Sequence, residues 1–351
     1  MGTSMAGNRR SKRAELTDTH IGLAHGNGGR FMRELIDEVF ARALANPLLD
    51  PSADAASLPV LDGEPLVTTD GFTVQPLEFP GGDIGSLAVH GTVNDLAVAG
   101  GRPLYLTLNA FIEEGFEIAT LERIVASLAN AAAAAGVVVV AGDTKVLNRG
   151  EGGGLYLATT GVGVRASHAR WSATNIRPGD TVIVSGPVGD HGIAVMLARE
   201  AFGLHGNLRS DCASVLPLTR TAWDMPGIRF MRDPTRGGLA TVLHEIALQT
   251  GLQVRVRERA IPIRDPVRAV CEILGYDPLY LACEGRVVVV CAEHCADELL
   301  ARWRATRAGA DACVIGEIEP APGTPRVIAE SELGGERYLE ELEDDPLPRI
   351  C

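Results

Sequence analysis

The chain has 351 residues, of which 46% are hydrophobic, 22% charged and only 5% aromatic, and its formal net charge is −13. This composition is typical of a soluble globular protein long enough for two domains, and it excludes a fibrous or disordered chain. The acidic balance argues against a nucleic-acid-binding surface. The longest apolar stretches are too short to predict a membrane span, so we expect no membrane association.

The N-terminal half alternates predicted helices and strands in chain order. A glycine-rich loop, "HGNGGR", leads into the helix "GRFMRELIDEVFARAL", and the strand "PLVTTDGF" and the turn-rich "PLEFPGGDIG" follow. Next come the helix "SLAVHGTVNDLAVAG", the strand "PLYLTLNAFI", the helix "TLERIVASLANAAAAAG" and the strands "VVVVAGDTKV" and "GLYLATTGVGV". The polar stretch "RASHARWSATNIRPGD" then interrupts the periodicity, which predicts a domain boundary between residues 165 and 166.

The C-terminal half begins with a buried-strand pattern, "TVIVSGPVGDHG", followed by the helix "IAVMLAREAF". The helix "GGLATVLHEIALQTG", the strand "QVRVRERAIPI", the helix "DPVRAVCEILG", the strand "RVVVVCA" and the helix "ELLARWRATRAG" come after it. From about residue 320 prolines and acids replace the periodicity. We therefore predict domains at 16–165 and 166–320, a mobile N-terminal extension at 1–15 and a flexible tail at 321–351.

Seven cysteines are present, and the last of them, Cys351, ends the chain after "DDPLPRI". The first fifteen residues carry basic side chains but no apolar core, so they do not predict a signal peptide. An odd number of cysteines without such a signal favours reduced thiols and a cytoplasmic location. Cys291, His294 and Cys295 could suggest zinc, but no second pair of ligands accompanies them, so we interpret them as buried residues.

Four aspartates stand in glycine-bounded or turn contexts: Asp70, Asp83, Asp95 and Asp143. Each alone has a structural explanation, because aspartate suits turns and helix starts. Asp70 and Asp143, however, lie at the ends of apolar strands, where carboxylates projecting into a shared crevice would suit Mg²⁺ and bound phosphate. Lys145, two residues beyond Asp143, would add a positive charge there.

Glycine-rich segments precede two predicted helices. The backbone amides of Gly26, Gly28 and Gly29, at the start of the first helix, would form an anion site, although no P-loop lysine follows. In "DPTRGGLAT", Arg236 stands beside a second glycine-fed helix start. For that segment a phosphate or partner contact and a purely structural turn are equally good interpretations.

Several motifs occur in order over nearly the whole chain, from His25 to Cys351: "DGFTVQPLEFPGGDIGSLAVHGTVNDLAVAGG", "GDTKVLNRG", "GDHGIAVML", "DPTRGGLAT" and a terminal "PRIC". In these motifs the chain resembles the HypE family of hydrogenase maturation proteins. That family is part of the wider PurM-like group, typified by aminoimidazole ribonucleotide synthetase. The resemblance implies a two-domain α/β and α+β fold. The N-terminal domain would form a β-barrel across a homodimer, and the C-terminal α+β domain would be followed by a flexible tail.

The resemblance also implies a reaction. A carbamoyl group from the carbamoyltransferase HypF is carried by Cys351 as a thiocarbamate, and ATP drives its dehydration to a thiocyanate. The HypC–HypD complex would receive the cyanide for the iron of nickel–iron hydrogenase. Phosphorylating the amide oxygen turns a poor leaving group into phosphate, which requires ATP, Mg²⁺ and a base.

Residue by residue, the resemblance implies roles for the positions singled out above. Asp70, Asp95 and Asp143 match positions that bind Mg²⁺–nucleotide, Asp83 matches a segment at the nucleotide, and Gly26 to Gly29 match the glycine-rich loop. Lys145 and Glu284 are our candidates for orienting the thiocarbamate and taking its proton. The neighbours of Glu284 in "LACEGRVVVV" indicate partial burial, which would raise its pKa toward that of a useful base.

The alternative is another ATP-using enzyme of the same group, of the selenophosphate synthetase or thiamine-phosphate kinase type. Those enzymes have no use for a C-terminal cysteine, and selenophosphate synthesis typically uses a cysteine near the N-terminus. The first cysteine of this chain is Cys212. A non-catalytic assembly protein is a third possibility, but it would have no use for four suitably placed acids.

Overall fold

The computed structural model describes residues 17–199, 203–204, 206–331 and 333–342. Its strands, in chain order, are β1 (Pro65–Phe72), β2 (Glu78–Phe79), β3 (Gly82–Asp83), β4 (Gly101–Glu113), β5 (Val138–Leu147), β6 (Leu155–Arg165), β7 (Thr181–Val184), β8 (Ile228–Arg232), β9 (Gln253–Arg257), β10 (Val288–Cys291), β11 (Cys313–Glu319), β12 (Val327–Glu330) and β13 (Glu336–Leu339).

The helices of the same residues are α1 (Arg30–Leu35), α2 (Ile84–Val98), α3 (Ile118–Ala135), α4 (Asp190–Ala198), α5 (Leu216–Arg220), α6 (Gly238–Thr250), α7 (Asp265–Leu274) and α8 (Ala296–Arg304). α1 continues into a wider π-helical segment, Ile36–Ala41. Short 3₁₀ turns occur at Leu23–Gly26, Ala173–Asn175, Glu258–Ala260, Pro278–Tyr280 and Glu293–Cys295.

The N-terminal half is built on a four-stranded sheet in the order β1-β6-β4-β5. β4 and β5 are parallel and the other pairs are antiparallel. One face of the sheet packs against α2 and α3, and the alternation of buried and half-exposed residues along β4 and β6 follows from this one-sided packing. No described α-helix packs against the opposite face, which we call the uncovered face and whose side chains are mostly half-buried or exposed.

The helix α3 is long and apolar enough to cross a membrane by length and composition alone. Its eight buried residues, however, pack in the core of the N-terminal half, and the helix ends at Gly136 in the left-handed conformation. A core helix of a globular domain has these properties, so the composition of α3 is explained by packing.

The C-terminal half is built on a seven-stranded sheet in the order β13-β12-β9-β11-β7-β10-β8. The valine-rich central strands are buried on both faces, with α6 on one face and α8 on the other. The core on the α8 side is continuous with the core around α2 and α3. The two halves therefore share a packed, apolar interface.

The sequence predicts a flexible tail from residue 321, and for residues 327–339 this prediction is wrong. β12 pairs in parallel with β9, and β13 pairs with β12 as a hairpin at the edge of the sheet. Val327 and Leu339 are buried in the core beneath. The surrounding proline and acidic residues mask the strand pattern in the sequence. Pairing with a distant strand, rather than local propensity, stabilises these short strands.

Candidate functional site

A cavity of about 350 Å³ lies between the two halves of the molecule. Four acids line it, two from each half: Asp70, Asp95, Asp233 and Glu284. Arg232 and Arg236 also line the cavity, and Arg232 is engaged in an ion pair with Glu245 at 3.2 Å. We call this region the acid cavity. Its excess of carboxylates makes it suited to a cation or to a cation-bound ligand.

The N-terminal acids of this cavity are positioned by the packing of β1 on α2. The Thr68 hydroxyl donates a hydrogen bond of 2.8 Å to Asp95 Oδ2, and Asp70 follows on the same face of β1. Gly91 of α2 lies under Phe72, where an added Cβ would be 2.7 Å from the ring. A larger residue at position 91 would have to displace the Phe72 ring, so glycine lets this ring pack on α2 beside the two carboxylates.

Burial raises the pKa of Asp95, and the nearby Asp70 carboxylate adds to that effect. The hydrogen bond from Thr68 and the charges of Arg232 and Arg236 oppose the increase. The carboxyl group therefore holds its proton more readily than a surface aspartate does when no cation is bound.

The C-terminal acids are more deeply buried, since Asp233 and Glu284 are each only 7% exposed. Burial, with the charge of Asp95 next in effect, raises the pKa of Asp233 to about 7. Burial also raises the pKa of Glu284 well above its usual range, and the charges of Asp211, Asp233 and the N-terminal acids add to it. The burial that the sequence predicts for Glu284 is thus present in the structure.

The donor set of the acid cavity suits Mg²⁺, which prefers carboxylate oxygens and usually keeps water or phosphate ligands as well. Within the described ranges of one chain, no three acidic, histidine or cysteine side chains converge closely enough to hold a metal ion by themselves. Phosphate oxygens of a bound nucleotide, or groups from a second copy, would have to complete the coordination.

Asp143 and Lys145 are not in the acid cavity of the same chain. They form an ion pair of 2.8 Å on β5, the edge strand, and both are more than half exposed. Two strands separate β5 from β1, so Asp143 and Asp70 are about 14 Å apart across the sheet. The register also places them on opposite faces. The expectation that these two acids share a crevice is therefore wrong for a single chain.

The glycine-rich loop lies beside Lys145 rather than beside the acid cavity. Gly26 packs on Val146, and a Cβ at Gly26 would be 2.8 Å from the valine Cβ. The amide of Gly28 donates to Met32 Sδ at 3.2 Å, and that of Gly29 donates to Asn27 Oδ1 at 2.9 Å. Binding an anion to these two amides would require replacing both hydrogen bonds.

Asp83 is the N-cap of α2. Its Oδ1 accepts hydrogen bonds from the amides of Gly85 at 2.7 Å and Ser86 at 3.0 Å, and its Oδ2 accepts one from the hydroxyl of Ser127. Both carboxylate oxygens are thus used inside the N-terminal half, and Asp83 does not line the acid cavity. The structure supports the capping interpretation that the sequence left open.

Two functional candidates escaped the sequence analysis. Asp233 stands beside Arg236 in the motif "RDPTRGG" and directly follows β8, a strand that the sequence pattern does not predict. The side chain of Asp211, which is only 1% exposed, accepts a hydrogen bond of 3.1 Å from the amide of Glu284. An acid after a short apolar run would have signalled Asp233, whereas no local pattern marks Asp211.

The predicted reactive residue, Cys351, lies outside the described residues. The nearest described part of the tail is held at Glu340, whose carbonyl oxygen accepts a hydrogen bond of 2.6 Å from the Tyr280 hydroxyl. Tyr280 belongs to the segment that leads to Glu284, so the root of the tail is fixed on the C-terminal half that carries this acid.

Models of two protein families match the chain in order. Residues 52–165 match the N-terminal domain, and residues 177–328 the C-terminal domain, of AIR synthase related proteins. Together they cover more than half of the chain, and the two matched regions contain most of the four-stranded and seven-stranded sheets, respectively.

Relatives match over the full length. The chain is 46% identical over 340 residues to the carbamoyl dehydratase HypE of Azotobacter vinelandii, covering 97% of this chain and 99% of that protein. A crystal structure of the hydrogenase maturation protein HypE in complex with ATP superposes with a TM-score of 0.89 at 42% identity, covering 94% and 99%. A crystal structure of a HypE–HypF complex has a TM-score of 0.77 at 43% identity, covering 88% and 99%.

The fold, the order of the two domains and the full-length identity all agree. The chain belongs to the HypE family of carbamoyl dehydratases, with the PurM-like two-domain fold.

Proposed function

We propose that this protein uses ATP to dehydrate a carbamoyl group, carried as a thiocarbamate on Cys351, to a thiocyanate. The observation that carries this proposal is the acid cavity, in which carboxylates from both halves face one volume. Such a site would bind Mg²⁺–ATP and also place a buried carboxyl group, Glu284, beside the reacting amide. The alternative selenophosphate or thiamine-phosphate chemistry is less well supported, because the full-length relatives are carbamoyl dehydratases.

The reaction balances without an oxidant or reductant. The carbamoyl oxygen attacks the γ-phosphorus of ATP, and the bond from that phosphorus to ADP breaks. Two N–H protons leave the nitrogen, the C–O bond breaks with loss of phosphate, and a C≡N bond remains on sulfur. Mg²⁺ would neutralise the phosphate oxygens in both steps. The protein must therefore hold the phosphates, orient the amide and accept a proton.

Glu284 is our candidate for the proton acceptor. Its pKa is raised because it is buried among other acids, so the empty cavity favours its protonated form. Positive charge placed between Asp70, Asp95 and Asp233 would lower that pKa and make Glu284 able to accept a proton only when the nucleotide is bound. This order would protect the thiocarbamate from reaction before ATP is in place.

We also propose that the protein acts as a homodimer formed through the uncovered face of the four-stranded sheet. This face carries Val67, which is 69% exposed, and the half-buried Tyr105, Phe111 and Tyr156. Asp143 and Lys145 stand on the same face. If a second copy covers it, its Asp143 and Lys145 would be the ones that approach the acid cavity.

The remaining partners follow from the chemistry of the carried group. A carbamoyltransferase of the HypF type would load the thiol, as the HypE–HypF complex of a relative suggests. A HypC–HypD complex would accept the cyanide. We also propose a reducing, cytoplasmic location, which would keep the cysteines as thiols.

The test is the covalent state of Cys351. Incubation with a HypF protein, carbamoyl phosphate and ATP should modify Cys351, and the final product should be lighter by one water molecule than the carbamoylated protein, as intact-mass spectrometry detects. Cys351→Ala should abolish both changes, whereas the control Cys313→Ala, at a partly exposed cysteine, should leave them intact. Modification of Cys271 or Cys283 instead of Cys351 would refute the assignment.

A further inference from the structure

Asn94 lies next to Asp95 in α2 and is 1% exposed, yet it takes no part in the chemistry described above. Successive helical residues differ by about 100° in direction, so Asp95 faces the acid cavity while Asn94 faces the C-terminal half. A buried side-chain amide needs hydrogen-bond partners for its oxygen and its nitrogen, and those partners show which parts of the chain it connects.

All three hydrogen bonds of the Asn94 side chain go to backbone groups of the other half. Its Nδ2 donates to the carbonyl oxygens of Ala213, at 3.0 Å, and Glu284, at 3.2 Å. Its Oδ1 accepts from the amide of Val215 at 2.8 Å. One side chain thus joins the helix that carries Asp95 to the backbone of Glu284.

The backbone of Glu284 is held on its other side as well. Its amide donates to Asp211 Oδ1 at 3.1 Å, and Asp211 is paired with Arg286 at 3.4 Å. Gly285 allows the close approach, because an added Cβ would be 2.0 Å from the carbonyl oxygen of Asp211. The position of Glu284 is therefore fixed by residues 211–215 and by Asn94, and not by its own side chain alone.

We propose that Asn94 is a positioning residue, which sets the place of Glu284 relative to Asp95 across the acid cavity. This inference rests on the proposed function, in which Glu284 accepts a proton and Asp95 helps to hold Mg²⁺–ATP. In this proposal Asn94 itself contacts neither the thiocarbamate nor ATP. Its side-chain amide fixes the position of Glu284, in the C-terminal half, relative to α2, in the N-terminal half.

We therefore expect substitution of Asn94 to lower kcat while leaving the affinity for the nucleotide nearly unchanged. Asn94→Ala removes the link to Glu284 but leaves the carboxylates of Asp70 and Asp95 on their own elements. We expect kcat for dehydration to decrease about 10- to 100-fold, the size of effect that a small misplacement of a reacting group produces. The KM for ATP should change by less than about threefold.

Asn46 provides a matched control. Its Nδ2 donates to the carbonyl oxygens of Leu44 and Val139, and its Oδ1 accepts from the amide of Leu48, all within the N-terminal half. Asn46→Ala therefore loses the same kinds of hydrogen bond as Asn94→Ala. If Asn94 had only a structural role, the two variants would lose thermal stability and kcat in the same proportion.

A double-mutant cycle with Glu284→Gln is the decisive measurement, with turnover followed by intact mass on the carbamoylated protein. If Asn94 acts through Glu284, adding Asn94→Ala to Glu284→Gln should lower kcat by less than about twofold. Losses that multiply would overturn the proposal. Should Asn94→Ala fail to fold, Asn94→Ser, which retains one hydroxyl donor, takes its place in the cycle.

Hydrogen exchange tests the same link without turnover. The amides of residues 282–287 should exchange at least about tenfold faster in the Asn94 variant than in wild type or in Asn46→Ala. Unchanged exchange there would overturn the positioning role even if the protein proved to catalyse another reaction. A wild-type protein that binds ATP but does not dehydrate the thiocarbamate would refute the proposed function alone.

Discussion

Asp233 and Glu284 place two buried carboxyl groups where solvent cannot stabilise their charges. A buried carboxylate without a cation is costly, so the protein keeps such groups protonated or binds a compensating charge. The same burial that would favour a bound cation, as we propose for Mg²⁺–ATP, therefore makes the stability of the empty protein sensitive to pH. The direction in which stability changes with pH follows from the raised pKa of Asp233 and can be measured.

The pKa of Asp233 is raised from 3.8 to about 7 in the folded protein. Between these values the folded state binds more protons than the unfolded state, so this group's contribution to stability is complete below pH 4 and is lost as pH rises through 7. The difference corresponds to at most about 4 kcal/mol. Asp233→Asn should remove this slope, so that the variant gains stability relative to wild type from pH 5 to pH 8.

Thermal unfolding at several pH values, with EDTA and without nucleotide, measures the effect. Asp311→Asn, at an exposed acid, serves as the control and should leave the slope unchanged. A wild-type protein whose stability rises from pH 5 to pH 8 more steeply than that of Asp233→Asn would contradict the buried, protonated state.

Among the elements, α2 carries three different tasks along one helix. Asp83 caps its first turn, Gly91 admits β1, and Asp95 contributes to the acid cavity near its last turn. Its buried residues pack on both sheets, which makes it the structural link between the halves. We therefore expect substitutions at the start of this helix to change stability, and substitutions near its end to change binding in the acid cavity.

Asp83→Asn tests whether the first of these tasks is only structural. Asparagine caps helices about as well as aspartate, so we expect a stability within about 1 kcal/mol of wild type and an unchanged affinity for ATP by calorimetry. Asp83→Ala should lose about 1–2 kcal/mol on unfolding, again without loss of affinity. A tenfold weaker ATP affinity in Asp83→Asn would show that the charge acts on the nucleotide.

Much of this element structure is readable from the sequence, because strong periodicity specifies it. β1 has the bounds that the pattern predicts, and α2 and α3 begin within two residues of theirs. The sequence pattern does not predict β8 or β11 and places β12 in a tail, since the pairing of these strands depends on strands far away in the chain. Local propensity carries little information about such partners.

The candidate site was predictable only as a set of residues and not as an arrangement. Motifs single out Asp70, Asp95 and Glu284, and the structure brings these three together. The same motifs point to Asp143, but the sheet order and the face on which it stands are properties of the whole fold, and they place it elsewhere. Asn94 and Asp211 act through backbone contacts that no sequence pattern records.

At the scale of the whole molecule, the predicted residues divide into two groups in one chain. Asp70, Asp95 and Glu284 line the acid cavity, whereas Asp143 and Lys145 stand on the uncovered face of the sheet. A homodimer that uses this face would unite both groups at each of two equivalent sites. Each site would then be composed of residues from two copies.

Complementation tests that composition. Asp143→Asn and Glu284→Gln should each retain only a small residual activity alone, but after subunit exchange an equal mixture should recover about a quarter of the wild-type activity, because half of the dimers are mixed and each has one intact site. The control mixture of Asp70→Asn with Glu284→Gln, both in the acid cavity, should recover nothing. Absence of recovery in the first mixture would place the entire site in one chain.

Gly91 affects the geometry of the acid cavity through its close contact with Phe72. The gap between β1 and α2 has no room for even one methyl group beside Phe72. A methyl group at position 91 would displace the Phe72 ring, and Phe72 ends the strand that carries Asp70. If Asp70 and Asp95 hold Mg²⁺ as we propose, alanine at position 91 would disturb their separation and so weaken the binding of that ion.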